Sequence, residues 1–148
     1  VKEKWPKMTC FVDSNCSFPL WTEEKREFVE IFDKMMIDIK GFSEEEHNLI
    51  TGTTNRTVIE NFRFLAGLDK VYEVRTVIVP EITDNEKMVD NISKLIAECN
   101  SDIKYKIIKF RQNGVREDVL KAYTPNDSYM NKLERIALKN GLKDVVIV

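Results

Sequence analysis

Residues 35–52 read Met-Met-Ile-Asp-Ile-Lys-Gly-Phe-Ser-Glu-Glu-Glu-His-Asn-Leu-Ile-Thr-Gly, and this stretch decides the fold. Its apolar start predicts a buried strand that ends in charged residues. Side chains of a strand repeat every second residue, so Asp38 and Lys40 share one face. Ser43 and Glu46 then form the S-x-x-E pattern that begins a helix. The charged pair therefore falls where α/β proteins bind ligands, at the carboxyl end of a parallel strand.

The same alternation of strand and helix runs through the rest of the chain. The predicted strands are Met8–Val12, Met35–Ile39, Val71–Val79, Tyr105–Phe110 and Asp144–Val148, and the predicted helices are Thr22–Phe32, Glu44–Ile50, Thr57–Leu68, Glu86–Glu98 and Ser128–Asn140. Strands separated by helices pair in parallel through right-handed crossovers. We therefore predict an α/β fold whose sheet is either barrel-like or open, with the first four strands as parallel neighbours in chain order.

Length and composition exclude several classes of protein. The 148 residues suit a single domain, and Lys+Arg 23 against Asp+Glu 25 gives no reason to expect a nucleic-acid or membrane partner. No apolar stretch approaches the ~20 residues of a membrane span, and no signal peptide opens the chain. The three cysteines, Cys10, Cys16 and Cys99, lack C-x-x-C spacing. This usage favours a reducing, cytoplasmic location and excludes a complete metal site built from cysteine.

Polar side chains close four of the predicted strands, and a parallel sheet would gather them at one rim. They are Asp13 with Asn15, Asp38 with Lys40, Arg75 with Thr76, and Lys109 with Arg111. Carboxylates beside cations suit a zwitterionic, hydroxyl-rich ligand or a small cation. Asp38 offers oxygens to a ribose hydroxyl or, with Asp13, to an oxygen-liganded metal ion. Arg75 presents a planar fork to a carboxylate. Solvated strand ends with a few salt bridges are the alternative.

Two further side chains invite a chemical reading. His47 is the only histidine, and a neighbouring carboxylate of the Glu-Glu-Glu-His run can raise its pKa. A lone helix histidine is nevertheless more often a cap or packing residue than a catalyst. Cys16 lies in the polar turn after the first strand, so we expect it to be the accessible and reactive cysteine.

Five segments, taken in order, carry a family resemblance. They are Thr-Cys-Phe-Val-Asp-Ser-Asn at 9–15, Met-Ile-Asp-Ile-Lys at 36–40, Glu-His-Asn-Leu-Ile-Thr-Gly-Thr-Thr-Asn at 46–55, Val-Arg-Thr-Val-Ile-Val-Pro at 74–80 and Tyr-Lys-Ile-Ile-Lys-Phe-Arg at 105–111. In order and spacing the chain resembles the radical S-adenosylmethionine activases of glycyl radical enzymes over nearly all its 148 residues. The resemblance implies a partial (β/α) barrel of mostly parallel strands, similar to a TIM barrel.

The resemblance also implies roles for the strand ends. Asp13 and Asp38 would hold a monovalent cation beside the bound cofactor, and Lys40 would line its ribose. Arg75 would contact the carboxylate of the methionine moiety. The fourth strand would line the adenine, and Arg111 stands where the best-known member of the family has a histidine. Cys16 replaces the glycine that usually follows the asparagine, and because cysteine strains a turn that needs φ > 0, we expect the local loop to differ from the family's. The implied cofactor-binding residues are Asp13, Asn15, Asp38, Lys40, Arg75 and Arg111.

Two family motifs do not occur in the chain. The Cys-x-x-x-Cys-x-x-Cys cluster ligands and the Gly-Gly-Glu segment that grips the methionine amine are both missing. We therefore expect residues 1–148 to form one domain, the C-terminal portion of a radical S-adenosylmethionine domain, that is inactive alone and binds no cofactor. The full-length enzyme would use S-adenosylmethionine and a 4Fe-4S cluster.

The implied partners are a glycyl radical enzyme, such as a pyruvate formate-lyase-like protein, and an electron donor such as flavodoxin. The segment Met8–Val12 would form an exposed edge strand that favours self-association.

Two other classes of function are weighed against this reading. A phosphoacceptor receiver-like signalling domain also ends strands in aspartate, and Asp38 would be its acceptor. Such domains carry an acidic pair after the first strand and a late Lys-Pro step, whereas Asp13 is followed by Ser14 and no Lys-Pro occurs after Asp38. A non-catalytic α/β interaction module is the remaining alternative.

Overall fold

A computed structural model describes residues 3–112 and 122–148. The strands are β1 (Phe11–Ser14), β2 (Lys34–Asp38), β3 (Val71–Ile78), β4 (Lys104–Lys109) and β5 (Val145–Ile147). A 3-10 turn (Glu23–Lys25) leads into α1 (Arg26–Ile31), and the later helices are α2 (Glu44–Thr51), α3 (Arg56–Gly67), α4 (Asn85–Asn100) and α5 (Asp127–Lys139).

The five strands form one parallel sheet in the order β1-β2-β3-β4-β5. Because each right-handed crossover moves the chain to the next strand in the same direction, the helices fall on one side of the sheet. The predicted α/β fold with parallel neighbours in chain order is confirmed, and the sheet is a partial barrel. A doubly wound receiver of the flavodoxin-like type has the order 2-1-3-4-5. The observed order excludes that alternative.

The hydrophobic core lies between the helices and one face of the sheet. Its largest fully buried side chains include Phe32, Met35, Phe62 and Tyr105, which come from both strands and helices. Residues that alternate with these core positions point to the opposite face, which the described helices leave uncovered. We call this surface the open face; it carries Asp13, Met36, Asp38, Glu73, Arg75 and Lys106.

The residues at the start of α2 and after the end of α5 adopt the capping conformations that their sequence patterns predict. The Ser43 hydroxyl accepts a hydrogen bond from the Glu46 backbone N–H at 3.1 Å, and the Glu46 carboxylate accepts one from the Ser43 N–H at 3.3 Å. This is the reciprocal capping box that the S-x-x-E pattern indicates. Gly141 follows α5 with φ of 97°, a left-handed conformation that glycine adopts without strain.

The first strand was placed too early by the sequence pattern. It runs from Phe11 to Ser14 instead of Met8–Val12, because Asp13 and Ser14 continue the pairing with β2. Aspartate and serine favour turns, but the ladder of hydrogen bonds outweighs that local preference. The predicted helix Thr22–Phe32 is likewise a 3-10 turn followed by a six-residue α-helix. Among the described residues, no helix is long and apolar enough to cross a bilayer.

Candidate functional site on the open face

Arg75 lies at the centre of a charged network that joins three strands. From β3 its guanidinium passes over Met36 of β2, with Nη2 2.8 Å from the Met36 sulfur, and reaches Asp13 of β1. Nη1 donates to the Asp13 carboxylate at 2.6 Å, and Nε donates to Glu73 at 2.5 Å. The structure therefore brings together Asp13 and Arg75, two residues that the sequence places 62 positions apart.

Glu73 and Lys106 complete the network, and sequence reasoning missed both. The Glu73 carboxylate accepts hydrogen bonds from Arg75 Nε and from Lys106 Nζ, the latter at 2.9 Å. Burial favours the neutral acid, but these hydrogen bonds and the two positive charges outweigh it and lower the pKa of Glu73. The available signal was the Glu73-Val74-Arg75 spacing, which puts a glutamate and an arginine on the same face of the predicted strand.

Asp38 and Lys40 form the second charged group of the open face. Lys40 lies two residues beyond the end of β2, and its Nζ donates to the Asp38 carboxylate at 2.9 Å. Asp38 is also paired in register with Arg75 on the neighbouring strand. The predicted members Asp13, Asp38 and Arg75 thus share one face of adjacent strands, and Lys40 joins them through its ion pair with Asp38.

Asn15 and Arg111 lie outside these ion pairs. Asn15 follows β1 and accepts hydrogen bonds from the Ser17 backbone N–H and hydroxyl at 3.2 and 2.9 Å. It borders a cavity of about 540 Å³ between this loop and α1, lined by apolar side chains that include Phe18 and Phe28. Arg111 is exposed two residues beyond the end of β4.

The described residues contain no group of three or more His, Cys, Asp or Glu side chains placed to hold a metal ion. The predicted monovalent cation at Asp13 and Asp38, which needs only two carboxylates, stays a prediction.

Three buried asparagines fix the loops that follow the first three strands. The Asn61 side chain bonds the Cys16 and Phe18 carbonyls and the Leu20 N–H after β1. After β2, the Asn55 side chain donates to the Gly41 and Phe42 carbonyls. After β3, the Asn85 side chain accepts a hydrogen bond from the Val79 N–H and donates one to the Val79 carbonyl. An asparagine side chain has both donors and an acceptor, so it replaces backbone partners that a loop lacks. These contacts hold the three loops in place at the edge of the sheet where the charged strand ends lie.

His47 is a packing residue beneath the loop after β2. It is buried, and its Nδ1 has no hydrogen-bond partner among the described residues. Burial lowers the pKa of His47, the Gly41 backbone opposes this, and the positive charge of Lys40 adds to the lowering. The prediction that a neighbouring carboxylate raises the pKa of His47 is therefore wrong, and the packing role is confirmed. A Cβ at Gly41 would approach the His47 backbone nitrogen to 2.6 Å, so the loop and α2 fit closely.

The cysteines differ from the expectation in one respect. Cys16 is buried at 2% exposure against Met35, and burial raises its pKa to about 11. The prediction that Cys16 is accessible and reactive is wrong, because the turn folds its side chain into the core. Its φ of 53° lies in the left-handed region, so cysteine adopts the conformation that we expected to be strained for it. Cys10 is half-buried and Cys99 is exposed on α4.

The donor set of the open face fits one of the two expected cofactors. Asp13 and Asp38 provide negative charges on this face, and Arg75 and Lys106 provide positive ones, a combination that matches a ligand carrying both signs, such as S-adenosylmethionine. A 4Fe-4S cluster needs clustered thiolates. The three cysteines, one buried with a raised pKa and one on a distant helix, do not fit that group.

Comparisons with known proteins agree with this architecture, although no family model matches the chain. The pyruvate formate-lyase-activating enzyme of Streptococcus mutans is 23% identical over 96 residues, 65% of this chain and 36% of the relative. The indoleacetate decarboxylase activating enzyme of Tractidigestivibacter scatoligenes is 25% identical over 133 residues, 84% of this chain and 42% of the relative. The chain thus spans less than half the length of either relative.

Two solved structures share the fold. A crystal structure of a domain of pyruvate-formate lyase-activating enzyme from Bacteroides vulgatus superposes with a TM-score of 0.77 at 16% identity, covering 98% of this chain and 84% of that one. A radical SAM methyltransferase from Sphaerobacter thermophilus superposes with a TM-score of 0.65 at 12% identity, covering 93% of this chain and 39% of that one.

The fold is an α/β partial barrel like those of the two solved structures, a domain of pyruvate-formate lyase-activating enzyme and a radical SAM methyltransferase. In sequence, the chain is similar to activating enzymes, among them those of pyruvate formate-lyase and indoleacetate decarboxylase and a putative glycyl-radical enzyme activating enzyme of Haemophilus influenzae. The predicted resemblance is confirmed.

Proposed function

We propose that the protein to which this chain belongs is an activating enzyme that uses S-adenosylmethionine to generate a glycyl radical on a partner enzyme. The observation that carries the proposal is the agreement among relatives. Those that match across 65% and 84% of the chain are both named as activating enzymes, although they are named after different target enzymes. The two-sign charge pattern of the open face gives independent support.

Residues of the open face would bind and orient the cofactor. We propose that Arg75 binds the methionine carboxylate through the N–H groups that do not contact other residues of the network. Lys40 would line the ribose. Asp13 and Asp38 would hold a monovalent cation. Asn15, next to the first strand, and Arg111, near the adenine, complete the proposed cofactor-binding set. When bound, S-adenosylmethionine supplies the radical chemistry that converts a glycine of the partner into a glycyl radical.

The chain itself would supply the half-barrel that holds the cofactor, as a single domain. The 148 residues contain no Cys-x-x-x-Cys-x-x-Cys motif, so we propose that the 4Fe-4S ligands come from outside these residues and that the chain alone is inactive. In isolation, β1 presents an edge that pairs with no described strand on its outer side, and this supports self-association.

The partners follow from the same proposal. They are a glycyl radical enzyme of the pyruvate formate-lyase kind and an electron donor such as flavodoxin. Three free cysteines agree with a reducing compartment, and we propose the cytoplasm.

Electron paramagnetic resonance tests the proposed activity. The full-length protein to which this chain belongs is incubated anaerobically with a reductant, S-adenosylmethionine and each glycyl radical enzyme encoded in the same genome. We expect the spectrum of a glycyl radical on one of them, and none when S-adenosylmethionine is omitted. Absence of that spectrum with every candidate would contradict the proposal.

A further inference from the structure

Glu73 is the least hydrated member of the open-face network. Its side chain is 3% exposed, compared with 22% for Arg75, 26% for Lys106 and 57% for Asp13. A carboxylate removed from water is stable only when charged or polar partners replace the water. The buried glutamate is therefore the fixed member of the group, while its cationic partners extend toward solvent.

The two oxygens of Glu73 are divided between two cations on different strands. Oε1 accepts from Arg75 Nε at 2.5 Å, and Oε2 accepts from Lys106 Nζ at 2.9 Å. Arg75 and Lys106 are themselves paired in register across β3 and β4. Because one rigid carboxylate binds both cations, it fixes their separation and the direction in which each side chain leaves the sheet.

Both cations retain donors beyond these contacts. In the described part of the chain, Arg75 uses three of its five N–H groups, for Glu73, Asp13 and Met36. Lys106 has three ammonium hydrogens, and its ion pair with Glu73 accounts for one. Arg75 and Lys106 are register neighbours on β3 and β4, so the remaining donors of both residues lie on the open face, where they are available to a carboxylate.

We propose that Glu73 is a positioning residue that holds Arg75 and Lys106 as a two-cation clamp for the carboxylate of the bound ligand. The inference rests on the proposed function, in which the open face binds S-adenosylmethionine, and it adds Lys106 to the binding residues. Glu73 itself does not contact the ligand in this arrangement. It acts through the two cations.

Comparing two ligands separates a positioning role from a purely structural one, because positioning of the two cations affects only a ligand that carries a carboxylate. The full-length protein to which this chain belongs is titrated calorimetrically under anaerobic conditions with S-adenosylmethionine and with 5′-methylthioadenosine, which has no carboxylate. In Glu73→Gln, one oxygen becomes an amide donor that repels a cation, while side-chain size is kept. Outer partners of metal ligands change affinity by about 10- to 100-fold, and we expect roughly tenfold weaker binding of S-adenosylmethionine here. Binding of 5′-methylthioadenosine should not change.

The matched control is Glu30→Gln, the same substitution at an exposed ion pair of α1. It should bind both ligands as the wild type does. Equal weakening of both ligands in Glu73→Gln, or no weakening of either, would overturn the inference. If Glu73→Gln does not fold, Lys106→Met gives the same test, because it removes one arm of the clamp. Unchanged S-adenosylmethionine affinity in Lys106→Met also overturns the inference. A wild-type protein that binds no S-adenosylmethionine refutes the proposed function first, before any variant is compared.

Discussion

The Asn61 side chain of α3 accepts a hydrogen bond from the Leu20 backbone N–H at 2.8 Å, across 41 positions of sequence. The same amide group donates to two carbonyls of the loop that follows β1, at 2.8 and 2.7 Å. One fully buried side chain thus satisfies three backbone groups that the loop itself leaves unpaired. The loop begins immediately after the strand that carries Asp13, so Asn61 controls the geometry of that strand end.

Replacing Asn61 by alanine should destabilise the protein and loosen the loop after β1. Buried backbone groups that lose their partners cost about 1–3 kcal/mol each, and we expect a loss of at least about 3 kcal/mol in the free energy of unfolding. Urea denaturation measures it. Asn131→Ala, at an exposed position of α5, is the control and should change stability by less than about 0.5 kcal/mol. Similar small effects in both variants would show that the loop does not depend on Asn61.

His47 should make stability depend on pH. Its pKa lies below the ordinary 6.5 in the folded state, chiefly because of burial, while the unfolded chain titrates near 6.5. Between these two values the unfolded state binds more protons, so stability falls as the pH decreases through this window. The slope for one proton cannot exceed about 1.4 kcal/mol per pH unit. Urea denaturation from pH 7.5 downward should show this component in the wild type and lack it in His47→Gln. An identical pH dependence in the two proteins would rule out His47 as its source.

Cys16 should resist thiol reagents in the native protein. Burial raises its pKa to about 11, so the thiolate is rare at pH 8 and the sulfur is also inaccessible. We expect iodoacetamide at pH 8 to modify Cys99, which is exposed, well before Cys16. Peptide mass spectrometry identifies the modified sites, and addition of urea should make Cys16 reactive. Modification of Cys16 at the rate of Cys99 in the native state would contradict the described turn.

The fold was predictable because local signals repeat along the chain. Apolar runs, the Ser43–Glu46 capping box and Gly141 each specify an element that the structure contains. The first strand was misplaced since Asp13 and Ser14 favour turns locally, and only their pairing with β2 keeps them extended. Pairing between distant strands is not visible in local sequence.

The site was predictable only for residues at strand ends. Asp13, Asp38 and Lys40 follow from the rule that parallel sheets gather ligands at carboxyl edges. Arg75 was expected to close its strand but lies inside β3, three residues before the strand ends at Ile78. Glu73 and Lys106 lie earlier in their strands, where alternation alone does not reveal a shared ion pair. The burial of Cys16 likewise depends on how α3 holds the loop. These features come from tertiary contacts that join residues distant in sequence.

The most direct test of the central claim is a calorimetric titration of the encoded protein with S-adenosylmethionine, comparing the wild type with Asp38→Ala and Arg75→Ala. Loss of one charge-assisted contact is worth roughly 1.5–3 kcal/mol, so we predict about tenfold to a hundredfold weaker binding in each variant. Arg26→Ala, which removes an exposed arginine of α1, is the matched control and should bind like the wild type. Unchanged affinity in both open-face variants would contradict the account and leave the charged face as a set of solvated strand ends.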